Sequence, residues 1–166
     1  MASTRPLKLD AWGISWEEYK ELTYFCLQYE QKKRDAAALL TLKLSTPVPE
    51  IYHKAGKEYG TFMPHGGNRI SDPTAATAAK RDRLLKDIRM IEQAATGATE
   101  AARDAYSWTI DSRYIIKAVT QRSGVQALYA NPDTRPPLGE RQFYTVRRIF
   151  YWVLHEMKSG DLEPIA

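Results

Sequence analysis

In successive segments between Trp16 and Met157, the apolar residues of this chain recur at steps of three and four, and no useful length of strict alternation appears anywhere. That spacing lines one side of an α-helix, whereas a half-buried strand would alternate apolar and polar positions. The fold class expected is therefore all-α. No internal repeat is visible.

Ser15 with Glu18 forms a capping-box pattern, which sets a helix start at Trp16. Trp16, Tyr19, Leu22, Cys26, Tyr29, Leu40 and Leu44 continue one stripe, with Lys33 and Ala37 in its middle. One helix to about Leu44 is expected, weakest at "EQKKRDAA". Residues 45–71 are rich in Pro and Gly, lack any period and read as a long connection. Asp72 is placed to cap a second helix with Pro73 at its first position. Leu84, Ile88, Ile91 and Ala95 stripe that helix, and Gly97 is expected to end it. Two long striped helices joined by a loop predict an antiparallel hairpin over residues 1–97. Residues 98–166 read as shorter helices: Thr99 to Thr109, Ser112 to Arg122 behind an Asp111 cap, Val125 to Ala130, and Glu140 to Lys158. The prolines of "NPDTRPPLG" enforce a loop before the last. This second region is expected to be a helix-turn-helix-like, three-helix unit.

Charge narrows the class of partner. The net charge of +4 permits a polyanion partner without demanding one. From Arg113 to Val153, however, seven cations stand against two anions, while the first 44 residues hold seven against six. The single cysteine, Cys26, lies among apolar neighbours in a helical pattern, which fits a buried structural thiol in a reducing compartment. No apolar run approaches the roughly 18 residues that span a bilayer, and "MASTRPLKLDAWG" lacks the apolar core of a signal peptide. The expected setting is the cytoplasm, with no membrane partner.

On a helical wheel of Glu140 to Met157, Phe143, Val146, Phe150, Val153, Leu154 and Met157 form a core side. Arg141, Tyr144, Thr145, Arg148 and His155 lie opposite, flanked by Arg147 and Gln142. Arginine, glutamine, tyrosine and threonine in the first two turns match the part of a recognition helix that enters the major groove. There arginine bonds guanine bidentately and glutamine bonds adenine, while threonine or tyrosine meets phosphate or the thymine methyl. Arg135, in the insert between Asn131 and Gly139, is a candidate phosphate contact. The candidate DNA-binding set is thus Arg135, Arg141, Gln142, Tyr144, Thr145, Arg147 and Arg148. A solvated basic face is the competing reading of the same wheel. Tyr151 and Trp152 make the second half of this helix apolar nearly all round, so it should be covered on more than one side.

"MPHGGNRISDPTAATAAKRDRLLKDIRMIEQAA", "YIIKAVTQ" and "GERQFYTVRRIFYWVL", in that order, resemble small phage and prophage regulators of late-gene transcription of the ArpU and RinA type, whose C-terminal part is sigma-factor-like. The three pieces cover about a third of the chain. The resemblance implies an all-helical protein that binds double-stranded DNA near a promoter and assists host RNA polymerase. It places Arg141, Gln142, Thr145 and Arg148 on the reading helix.

Catalytic chemistry finds no footing. His53, His65 and His155 are scattered, with no His-x-x-x-His and no cysteine pair, so no metal site is expected. "GKEYG" and "GGN" lack the context of a phosphate-cradling loop. Glu17 and Glu18 suit a helix start rather than a catalytic pair, and Glu50 and Glu58 have no evident acid or base partner. No enzyme activity and no cofactor are expected. The leading expectation is a sequence-specific DNA-binding regulator, with host RNA polymerase and further copies of the chain as additional partners. The alternatives are a small terminase-like packaging component acting as a ring, or a protein-binding inhibitor or adaptor anchored by Tyr144, Tyr151 and Trp152.

Overall fold

The computed structural model describes residues 9–45 and 73–160, with side chains for 9–40 and 75–160. Among the described residues the chain is all helical: a 3-10 turn at Asp10–Trp12, then α1 (Trp16–Leu27), α2 (Tyr29–Ser45), α3 (Pro73–Tyr106), α4 (Ser112–Thr120), α5 (Gly124–Ala130) and α6 (Glu140–Ser159). The connection at 46–71, the Asp72 cap, His53, His65, Glu50 and Glu58 lie outside the described residues.

The capping box at α1 is present in full. Ser15 Oγ accepts from the Glu18 N–H at 3.2 Å, and Glu18 Oε2 accepts from the Ser15 N–H at 2.7 Å. The single long helix expected from Trp16 is instead two. At Gln28 the backbone N–H turns to the Cys26 carbonyl, which interrupts the four-residue ladder two residues before "EQKKRDAA" begins. The stripe changes accordingly: Leu22, Cys26, Tyr29 and Ala36 are buried, while Trp16 and Leu40 are exposed.

Gly97 does not end a helix. It sits inside α3, which runs on for nine residues to Tyr106 and absorbs most of the separate helix expected from Thr99. Glycine in a helix interior costs about 1 kcal/mol relative to alanine. Here Ala94, Ala95, Ala98 and Ala102 around it are all fully buried, and packing of that small-residue face outweighs the local penalty. The real end is an αL cap: Ser107 takes φ 58 and its N–H bonds the Arg103 carbonyl at 2.9 Å.

Contacts group the chain into two compact units, one of Met1–Glu30 with Asp87–Ala166, the other Gln31–Lys86. Both bounds fall inside helices, between Glu30 and Gln31 in α2 and between Lys86 and Asp87 in α3. In the first unit, α1, α4, α5 and α6 pack together, α4 touching each of the other three. Its core is built from Cys26, Ile91, Ile115, Val119, Phe143, Val146, Phe150, Tyr151 and Leu154, all buried. In the second unit, Leu84 and Leu85 of α3 are half-buried.

Candidate nucleic-acid interface

Asp111 caps α4 as expected, accepting from the Arg113 N–H at 2.9 Å. The same carboxylate holds the Arg113 guanidinium at 2.9 Å. Those bonds keep the Asp111 carboxyl below its ordinary range and hold Arg113 above its own, and they withdraw Arg113 from the free positive charge. α4 stops at Thr120, two residues short of Arg122, because Gln121 is extended. After the turn at 121–123, α5 begins at Gly124, whose φ of 62 suits glycine.

The insert that separates α5 from α6 is fastened to α5. Tyr129 Oη donates to the Leu138 carbonyl at 2.7 Å, Thr134 Oγ1 to the Leu128 carbonyl at 3.1 Å, and Arg135 to the Tyr129 carbonyl at 3.0 Å. The Asn131 side chain accepts from the Asp133 N–H at 3.0 Å, an Asx turn. Burial, then the nearby Glu140 charge, pushes the Tyr129 phenol up to about 12, and its ring meets Phe143 edge-on at 5.9 Å.

α6 starts where the sequence places it and runs one residue beyond Lys158. Its core side contains Phe143, Val146, Phe150, Leu154 and Met157 as expected, and Ile149 and Tyr151 in addition; Val153 is only half-buried. On the other side Arg141 is exposed, while Tyr144, Thr145 and Arg148 are half-buried one and two turns on. Thr145 Oγ1 donates to the Arg141 carbonyl at 3.2 Å, so its hydroxyl hydrogen is spent within the helix and its methyl is what remains to present.

Three residues of this helix have duties that the wheel does not reveal. Gln142 Oε1 accepts from the Gly139 N–H at 3.0 Å and so caps the helix itself. Arg147 lies over the Tyr151 ring, its guanidinium carbon 5.6 Å from the centroid, and its Nε is buried without a partner. His155, placed on the polar side, is half-buried with Nε2 3.4 Å from Glu18 Oε1, which ties α6 to the capping box of α1. A Gln three residues after a glycine was the available signal for the first. The other two depend on which residues α1 brings alongside.

Arg148 Nε is also buried without a partner. Among the described residues no carboxylate pairs with Arg141, Arg147 or Arg148. Three guanidinium groups on one helix without compensating charge leave a local field that favours an anionic partner. Among the described residues no three of His, Cys, Asp and Glu come together as metal ligands, and no helix is long and apolar enough to cross a membrane. Comparisons with protein-family models, with curated proteins and with solved structures find no match to this chain.

Proposed function

We propose that this chain is a sequence-specific DNA-binding regulator of phage transcription, acting near a promoter in the host cytoplasm together with RNA polymerase. On this reading α4, α5 and α6 serve as a helix-turn-helix-like unit, the earlier long helices form a helical hairpin, and the first turns of α6 enter the major groove. The observation that carries it is the α6 side on which Arg141 is exposed, with Thr145 and Arg148 following at helical spacing and no described carboxylate paired to either arginine. Arg141 and Arg148 are the base-reading candidates, Thr145 offers its methyl to thymine, and Tyr144 and Arg135 stand for the backbone. Gln142 reads a base only after releasing the Gly139 N–H.

Selection of bound duplexes from a random pool tests this. The recovered sites should share a motif, and Arg141→Ala should lose roughly 1–3 kcal/mol on that motif and relax one base preference. A pool that yields no common motif, with Arg141→Ala binding every duplex as the parent does, sinks the reading.

A second reading, a protein-binding adaptor, draws on α1. Trp16 and Tyr24 are 45% and 67% exposed and eight residues apart, hence on one side of that helix, with the Lys20 ammonium 5.1 Å over the Trp16 ring. Exposed aromatics beside a cation are common anchors of protein interfaces. Recovery of a stoichiometric protein partner that Trp16→Ala abolishes, without affinity for DNA at about 100 mM salt, would favour it.

A further inference from the structure

By sequence, the Gln31–Lys86 unit contains eleven Lys and Arg against five Asp and Glu, a net +6. The whole chain nets +4, so the other unit nets −2. In the formal sum of its own unit the excess of cations over Arg113–Val153 is thus offset by acids elsewhere, while Arg141, Arg147 and Arg148 keep no described carboxylate partner. The charge that draws a polyanion from a distance belongs to the other unit.

Among that unit's described residues, eight cations stand against Asp35 and Asp82 alone. Asp35 is engaged by the Gln31 amide at 2.8 Å. On α3, Lys80, Arg83 and Lys86 are all exposed, and no described carboxylate pairs with them. They follow one another at three-residue steps, about 4.5 Å along the helix axis each. The result is a short row of cations winding along one helix.

We infer that the exposed cations of α3 in this unit, Lys80, Arg83 and Lys86, supply the sequence-independent hold on the phosphate backbone of duplex DNA as phosphate contacts. This rests on the reading above for the choice of polyanion; α6 supplies the base reading and this unit the grip. An anionic membrane surface fits less well. A helix that lies in a bilayer interface carries bulky apolar and aromatic residues opposite its cations, whereas α3 from Pro73 to Arg83 offers only Pro, Ala and Thr beside its charges.

Full-length parent and a Lys80→Gln/Arg83→Gln/Lys86→Gln variant are titrated with a random-sequence duplex and with the selected site, from about 50 to 200 mM salt. The slope of log affinity against log salt should fall by about 2–3 in the variant, at close to 0.9 per phosphate contact, and by the same amount on both duplexes. Circular dichroism checks that helix content is kept, and Lys80→Arg/Lys86→Arg should retain the parent slope. Should the triple variant not fold, Lys86→Gln alone should lower the slope by about 1. An unchanged slope overturns the inference, as does binding to phosphatidylserine vesicles without binding to duplex. The two readings separate: a lowered slope with Arg141→Ala leaving site preference intact removes base reading by α6 and keeps the grip, and the reverse pattern does the opposite.

Discussion

The phenol of Tyr29 donates to Glu92 Oε1 at 2.7 Å, joining the first residue of α2 to the middle of α3 across 63 positions of sequence. Tyr29 is buried, and its burial followed by the Glu92 bond raises its pKa well beyond the ordinary phenol range. Tyr29→Phe should therefore cost about 1.5–3 kcal/mol, the range for a hydrogen bond to a charged group. Urea unfolding at neutral pH measures it.

The same phenols set an alkaline limit. Tyr29, Tyr129 and Tyr151 all have folded pKa values raised above the ordinary 10.0, mainly by burial, Tyr129 to about 12. Above pH 10 the unfolded chain releases these protons first, so the stability they contribute is whole below pH 10 and erodes as pH rises toward the folded values. Melting temperature should fall above pH 10, and Tyr29→Phe should flatten that fall.

At the acid end the sign reverses. Glu18 is held below its ordinary 4.5 by the Ser15 N–H, then the Ser15 hydroxyl and His155, and Asp111 below 3.8 by Arg113. Their contribution is complete above those ordinary values and is lost as pH falls through the lowered ones. Ser15→Ala should cost about 1 kcal/mol as a lost N-cap and should make melting less sensitive to pH in that window.

Gly97→Ala should stabilise. A Cβ at Gly97 would sit 3.5 Å from Val153 Cγ1, an ordinary contact, and the position is helical, so alanine gains about 0.5–1 kcal/mol of helix propensity without a clash. Denaturant midpoints of the two proteins decide this. A loss of stability would mean that α3 and α6 approach more closely than that distance.

Arg147 and Arg141 should separate fold from recognition. Arg147 stacks on buried Tyr151 with its Nε inside, so Arg147→Ala should cost about 1–2 kcal/mol of stability through lost packing and cation–π attraction. Arg141 is exposed, and its alanine variant should stay within about 0.5 kcal/mol. Thermal melts of both, run without DNA, make the comparison.

Much of this architecture is legible in the residues because local rules govern it. The Ser15–Glu18 box, the Asp111 cap and the start of α6 at Glu140 are each decided within four residues of sequence. What escapes is decided by distant partners. Gly97 looks like a terminator until the alanines around it are seen to be buried, and the break at Gln28 carries no proline or glycine to announce it. Arg147 looks like a surface cation until Tyr151 is found beneath it. Charge counted in a linear window is largest over Arg113–Val153, and counted by compact unit it is largest over Gln31–Lys86, since α1, far upstream, groups with α6 and brings its acids along.

The stapling of residues 131–139 to α5 bears on the speed and thermodynamics of any encounter. Because Tyr129, Thr134 and Arg135 already fix that stretch, the start of α6 is aimed before a partner arrives. Docking there forfeits little chain entropy. Association at Arg141 should accordingly resemble the meeting of two finished surfaces, with its heat-capacity change set by the area covered rather than by segments that must first be organised.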